Sequence, residues 1–320
     1  MIRLPRPPQD WLLRREYEAF MTHTPLTRLA LARGEYDIAH AVYPTDALAA
    51  ARWRKRSGRP AVLSYLGTPE RADLRAKRRR LEILQSAIEG CDAVVALSHH
   101  AAEGFQRWLG YQARVIEPGV DIRAFTPGTE RAAVPTIVCS ADAGEPRKGV
   151  ALLVKALGFV RADIPDARLL LSRPRDLERV VHAGVPLEAP GVEWVNLDRR
   201  DALAAAYGCA WVAALPARSE AFGLVLVEAM ACGTPVLGYN DAAIPEVLSS
   251  PELGRLFDRL EPRAIADALL PMLSKPPSEK TAAACRARAE EFSTDRCTQR
   301  YLELYAELGV GGSRLASPSG

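Results

Sequence analysis

Residues Ala210–Gly238 read AWVAALPARSEAFGLVLVEAMACGTPVLG. The apolar run Ala210–Leu215 has the length and continuity of a buried strand. Pro216–Ser219 is a turn, Phe222–Ala231 a predicted helix, and Pro235–Gly238 a second short strand. Strands joined through a helix run parallel, because the crossover returns the chain to the same end of the sheet. Strands in such sheets are covered on both faces and lose the alternating polar pattern.

The same rhythm extends outward in both directions. Upstream, strands are predicted at Tyr36–Tyr43, Ala61–Tyr65, Asp92–Ser98 and Arg114–Glu117, with helices at Ala47–Arg56, Glu70–Glu89 and His99–Leu109. Beyond the loop Pro118–Thr129, strands are predicted at Thr136–Ser140, Ala167–Ser172 and Val192–Leu197, with helices at Gly149–Arg161 and Ala202–Tyr207. The C-terminal stretch reads as three helices, Pro262–Leu273, Ser278–Phe292 and Thr294–Leu308, the last capped by Ser293–Asp295. Met1–Glu35 is different. It carries prolines and amphipathic segments near Trp11–Phe20 and Leu26–Arg33, but no strand.

Composition supports this layout. The 320 residues suit about two domains. The net charge of +3 gives no reason to expect nucleic-acid binding. Apolar runs fall well short of the ~20 residues of a membrane-spanning helix. The N-terminus does not read as a secretory signal. Six cysteines without a C-x-x-C pair suggest reduced, mostly buried thiols and a cytoplasmic protein.

Two doubly wound domains place ligands beyond the carboxyl ends of the strands, and a cleft between the domains is the expected site. Glu220 follows a strand end and Glu228 lies within the next helix, with seven residues between them. Helix geometry puts Glu228 about two turns in, rotated by roughly 80° from Glu220. Phe222, Gly223 and Leu224 would offer free backbone N–H groups to an anion. The blander explanation is an acid complementing the helix dipole plus a solvated glutamate. Arg147 and Lys148 open another helix and suit a diphosphate, lysine as a point charge and arginine as a fork. Taken alone, they also read as a solvated basic turn. Arg71–Arg80 is a basic run that reads first as a solvated helix face. His23, His40, His99, His100 and His182 have no metal-ligand spacing, so no metal site is expected. No Walker A loop, G-x-S-x-G or intact G-x-G-x-x-G is present.

Together, Ser219–Gly238 (SEAFGLVLVEAMACGTPVLG), YDIAHA (36–41), CDAVVALS (91–98), VIEPGVDIRAFTP (115–127), RKGVALLVKAL (147–157) and FSTDRCTQRYLELY (292–305) resemble the family 4 glycosyltransferases. The resemblance implies an α/β protein of the GT-B fold, two Rossmann-like doubly wound domains facing a cleft. The first domain would lack its opening strand–loop–helix. The implied boundaries are 1–127 for the acceptor side, 128–292 for the donor domain, 293–310 for a helix crossing back, and 311–320 for a disordered tail. The implied activity is sugar transfer from a nucleotide-sugar donor, with retention and with neither cofactor nor metal. Glu220 would contact sugar hydroxyls, with Lys148 and Arg147 neutralising the leaving diphosphate. Glu228 would hold the ribose. Phe222, Gly223 and Leu224 would bind through backbone N–H groups. Val195 and Leu197 would lie near the base, and Arg173 would add a phosphate contact.

The sequence departs from the family pattern at several points. Leu66 stands where a cleft histidine is usual, Cys139–Asp142 where an arginine is usual, and Ala242–Ala243 in place of a Gly-Gly pair. These departures motivate an alternative, a catalytically impaired nucleotide-sugar-binding scaffold. The partner expectations are a nucleotide-sugar donor, an unidentified acceptor, peripheral contact with the cytoplasmic membrane face, and a homodimer or a partner completing the N-terminal part. No nucleic-acid partner is expected.

Overall fold

The computed structural model describes residues 24–71, 74, 78–128 and 130–310. The helix expected near Trp11–Phe20, His23, the tail 311–320 and most of 72–77 lie outside these residues. The chain divides into two compact units. One extends to Glu117 and resumes at Thr298; the other is Pro118–Cys297.

In the first unit, strands β1 (Ala39–Ala41), β2 (Ala61–Tyr65), β3 (Ala93–Ala96) and β4 (Arg114–Val115) form a parallel sheet in sequence order. Helices α1 (Thr24–Arg33), α2 (Pro44–Ser57), α3 (Arg78–Gly90) and α4 (His99–Leu109) complete its described part. The helix boundaries follow local chemistry. Pro44 opens α2, where its missing N–H costs nothing, and Gly58 closes it in the left-handed conformation. Ser98 caps α4 by accepting from the Ala101 N–H at 3.1 Å. The core gathers Leu63, Leu84, Val94 and Phe105, all buried. Tyr65 meets Phe105 edge to face at 5.4 Å, an arrangement worth ~0.5–1.5 kcal/mol beyond burial.

The second unit has six parallel strands, β5 (Thr136–Cys139), β6 (Arg168–Ser172), β7 (Val192–Val195), β8 (Val212–Leu215), β9 (Val236–Tyr239) and β10 (Gly254–Phe257). Their spatial order is β10-β9-β8-β5-β6-β7. Its helices are α5 (Val150–Asp163), α6 (Leu177–His182), α7 (Arg200–Cys209), α8 (Leu224–Ala231), α9 (Ile244–Val247), α10 (Pro262–Leu269) and α11 (Glu279–Glu290). Helix α12 (Thr294–Glu307) carries the division between units at Thr298. Three elements go beyond the expected layout: α6, α9 and β10. The helices are one or two turns long, too short to show a period, and β10 is an edge strand of four residues. The strand expected at Tyr36–Tyr43 shortens to β1, because only Ala39–Ala41 pairs with β2.

The loop after Pro118 is fastened to the second unit. Val120 N–H donates to the Phe292 carbonyl at 2.8 Å, and Thr294 N–H donates to the Val120 carbonyl at 3.0 Å. Arg286 adds three donations, to the carbonyls of Phe125 (2.7 Å), Ile122 (3.0 Å) and Ala231 (3.0 Å). Ser293 caps α12, its Oγ accepting from the Arg296 N–H at 3.4 Å. Within the first unit, α12 is fixed through His40. The imidazole lies 2.6 Å from the Tyr305 hydroxyl and 2.7 Å from Ser64 Oγ, which itself lies 2.8 Å from the Tyr301 hydroxyl. The His40 ring is recessed among protein atoms, although solvent reaches it, and desolvation lowers its pKa to about 4. A neutral ring offers one donor and one acceptor, which suits two hydroxyl partners. His40 is therefore a structural bridge. All six cysteines are free, four of them buried.

Gly149, which precedes α5, is a tight backbone position. Its φ is +69°, and a Cβ there would stand 2.2 Å from the Pro216 carbonyl oxygen. Gly149→Ala is expected to cost more than the ~1–2 kcal/mol of a left-handed L-residue alone, because backbone meets backbone. Thermal denaturation of this variant beside Gly158→Ala, where a Cβ meets nothing within 4 Å, checks the expectation.

Candidate functional site

Strand order in the second unit reverses between β5 and β8: β6 and β7 lie on one side, β9 and β10 on the other. Loops leaving β5 and β8 at their carboxyl ends therefore turn to opposite faces and open a crevice, the expected ligand position in such a sheet. The β5 loop leads to a 3₁₀ turn, Pro146–Lys148, before α5. The β8 loop leads through Pro216–Gly223 to α8.

These two loops are stitched together. Arg218 N–H donates to the Arg147 carbonyl at 2.9 Å. Lys148 Nζ donates to Glu220 Oε2 at 2.7 Å, and Arg147 approaches the same oxygen at 3.3 Å. The Lys148 and Glu220 side chains are only 16% and 15% exposed, so this ion pair is largely withdrawn from water. Arg147 is more open and also pairs with Glu145. Removing such charges from water offsets most of their attraction, which makes the cluster weak evidence for stability and better evidence of a site.

The loop that holds Glu220 is strained. Ser219 and Ala242, neither a glycine, both have φ of +52°. Each costs ~1–2 kcal/mol relative to an ordinary conformation. The two residues flank Glu220 structurally. Ser219 N–H donates to Asp241 at 2.9 Å, and Ala243 N–H donates to the Glu220 carbonyl at 3.3 Å. Ala242 belongs to the pair that replaces the usual glycines, so the strain arises where that substitution falls. Backbone strain of this kind gathers at sites where geometry is over-determined.

Glu228 lies in α8 and lines a hollow of about 360 Å³ with Leu197, Leu224, Arg200, Asp121 and Asp198. Burial pushes its carboxyl up to about 7; the Arg200 charge and a hydrogen bond from Tyr207 act against that rise. Arg200 is itself paired with Asp121 at 3.0 Å. Arg173 is exposed and borders a second hollow of about 390 Å³ with Ser140, Asp142, Arg175, Arg179 and Asp198. Its N–H donates to the Val195 carbonyl at 2.8 Å, extending the β6–β7 pairing by one residue.

The structure thus brings Glu220, Lys148 and Arg147 into one cluster, and Leu197, Leu224 and Glu228 into one hollow. Val195, the half-buried last residue of β7, lines neither hollow. Three expectations are corrected. Helix α8 starts at Leu224, not Phe222, because Gly223 takes a left-handed φ of +98° before the first turn. Glu220 lies in the loop before it, as expected, but four residues ahead of the first helical residue, so the roughly 80° helical rotation between it and Glu228 does not apply. Glu228 is half-buried, with its carboxyl pushed up by burial, not a solvated helix glutamate. Phe222 is buried, its ring edge to face with Phe292 at 5.1 Å, which anchors the loop. Of the basic run, Arg71 and Arg79 are exposed and Leu74 is buried. Tyr207, Ser140, Arg200 and Asp241 were not singled out from the sequence. No spacing marks them, since each reaches the site from a different element.

Residues 125–292 match the family described as "Glycosyl transferases group 1", and residues 2–124 match "Glycosyltransferase Family 4". A D-inositol 3-phosphate glycosyltransferase of Xylanimonas cellulosilytica is 32% identical over 253 residues, covering 70% of this chain. The chain spans 58% of that relative's length. Sucrose-phosphate synthase from Thermosynechococcus elongatus superposes with a TM-score of 0.78 at 23% identity, over 97% of this chain and 81% of that one. Anabaena Alr3699/HepE in complex with UDP and glucose gives a TM-score of 0.73 at 17% identity, over 92% of this chain and 84% of that one. Among the described residues no helix is long and apolar enough to cross a membrane. Two parallel sheets, a strand-order reversal with an acid and two cations beside it, and both sequence matches agree: the chain is a member of the family 4 glycosyltransferases and has the GT-B fold.

Proposed function

We propose that this chain transfers a sugar from a nucleoside diphosphate donor to an acceptor hydroxyl, with retention at the anomeric carbon and no metal. The observation that carries this reading is the Lys148–Glu220–Arg147 cluster at the strand-order reversal. When the anomeric C–O bond breaks, negative charge collects on the departing diphosphate. Two preorganised cations in a site of restricted solvent stabilise that charge without reorganisation. The Glu220 carboxylate holds both cations in position. With donor bound, the phosphates take the cations, and sugar hydroxyls donate to Glu220. Glu228 accepts from the ribose diol in the adjoining hollow. The uridine diphosphate bound in the Anabaena structure makes a UDP-sugar the first donor to test. The name of the Xylanimonas relative makes an inositol phosphate the first acceptor.

Leu66 favours a second reading, binding without turnover. It follows β2 directly and is 51% exposed, at the position where the family resemblance places a histidine. Donor consumption by the purified protein separates the two: binding of UDP-sugars with neither transfer nor hydrolysis supports the second.

Lys148→Ala is expected to weaken UDP binding about tenfold to a hundredfold, the size of one lost charge-assisted hydrogen bond. Glu220→Gln is expected to lower turnover by about a hundredfold or more while UDP affinity holds or rises, because the cations lose their competing acid. Calorimetric titration with UDP, alongside assays of donor turnover, measures both. Full activity in Glu220→Gln would overturn the assignment of that residue.

A further inference from the structure

Helices α1 and α2 of the first unit pack together, and a hollow of about 380 Å³ opens beside both. Arg28, Leu31 and Ala32 of α1 line it, a spacing of three and four residues that shares one helix face. From α2 come Ala49, Arg52, Trp53 and Arg56, again one face. Arg59, just after α2, adds a fourth guanidinium. Glu35 is the one carboxylate of the lining among the described residues.

This arrangement is unfavourable without a counter-ion. Like charges four residues apart on a helix, such as Arg52 and Arg56, repel. The side chains of Arg28, Arg52 and Arg56 make no ion pair or hydrogen bond among the described residues. Arg54, on another face of α2, shows the contrast by holding Asp92 at 2.6 Å. A helix dipole favours cations in the last turn, which covers Arg56 but neither Arg52 nor Arg28 in the middle of α1.

The walls of the hollow are fixed. Ser57 Oγ donates to the Trp53 carbonyl at 2.9 Å and accepts from the Arg59 N–H at 3.2 Å. The Arg59 guanidinium donates to the Tyr36 carbonyl. Trp53 and Leu31 pack against the core of the unit and give the hollow an apolar floor. Its place in the fold also sets it apart. Glu35 leads into β1 and Arg59 into β2, so it lies at the amino ends of these strands. Substrates of parallel sheets bind beyond the carboxyl ends.

We propose that this hollow binds a ligand carrying two or more phosphate groups, either a soluble polyphosphorylated molecule or the clustered headgroups of an acidic phospholipid surface. The guanidinium fork matches phosphate oxygens two at a time, and arginine stays charged at any working pH. Arg52 and Arg56 stand about 6 Å apart along the α2 axis, which suits neighbouring phosphates better than a single one. The proposal does not depend on the donor reading, since none of these residues belongs to the Lys148–Glu220 cluster.

The experiment titrates the full chain with tripolyphosphate by calorimetry, and floats it with phosphatidylcholine vesicles made with and without phosphatidic acid. Arg52→Gln/Arg56→Gln is expected to weaken tripolyphosphate binding about tenfold or more, through lost charge-assisted hydrogen bonds. Arg28→Gln, on the other helix, should weaken it in the same direction, and Glu35→Gln should tighten it. Arg33→Gln/Lys55→Gln removes the same charge from the same two helices outside the hollow. It should hold binding within about threefold, because distant exposed charges are screened. Lys148→Ala should leave this binding in place while it weakens UDP binding, so a failure of the donor reading is seen separately. Tripolyphosphate should raise the thermal midpoint of wild type more than that of Arg52→Gln/Arg56→Gln. Vesicle binding that requires phosphatidic acid and is lost in Arg52→Gln/Arg56→Gln assigns the hollow to a headgroup. Tripolyphosphate binding without such vesicle binding assigns it to a soluble ligand. Equal loss in both double variants, no loss in any arginine variant, loss in Lys148→Ala alone, or no binding of either probe would overturn the proposal.

Discussion

The second unit depends on one constraint, that β5 and β8 are neighbours although two strand–helix units separate them in the chain. Right-handed crossovers allow this only if the sheet grows to one side of β5 and then to the other. The loops at that reversal diverge, and the backbone between them cannot fill the gap. What occupies the gap is polar: the Lys148–Glu220 pair and the Ser140–Tyr207 hydroxyl pair. Both span from the β5 side to the β8 side. The polar groups at the reversal thus also hold its two loops in register.

The site also concentrates cost. Two left-handed non-glycine residues, a desolvated ion pair and a carboxyl raised by burial lie within three loops and one helix. None of these stabilises the fold for its own sake. They persist because the surroundings are over-determined. Gly149 lies against the Pro216 carbonyl, Phe222 is clamped by Phe292, and Arg286 ties the Pro118 loop to the end of α8. Apolar packing and backbone hydrogen bonds in these supports offset the strain at the centre. The balance is the usual one for a site whose geometry matters more than its own stability.

The parts of this layout that could be read from residues share a physical feature: they are local. Beta strands such as Ala61–Tyr65 announce themselves as apolar runs, α4 by its serine cap and closing glycine, and α2 by its proline. Glu220, Lys148 and Arg147 each stand in the loop that leads from a strand to a helix, which is enough to nominate them. What was not legible was non-local or too short to carry a period. Helices α6 and α9 have six and four residues. Tyr207 looks like any aromatic at the end of a core helix until its hydroxyl is seen to meet residues 67 positions upstream. Helix α8 starts two residues later than the pattern predicts because Gly223 takes a left-handed φ, which nothing in SEAFGLVLVE announces.

The sequence by itself determined the class of architecture, the parallel strand–helix rhythm and the identity of the acid and the two cations, because each depends on residues close together in the chain. Only the tertiary structure decided that the Glu220 carboxylate bridges two cations from another strand's loop, and that Glu228 is a half-buried acid whose carboxyl burial pushes up to about 7. The reason is the strand order. Once β8 settles beside β5, residues 72 positions apart lie within hydrogen-bonding distance, and their ionisation, strain and reach are set by that meeting.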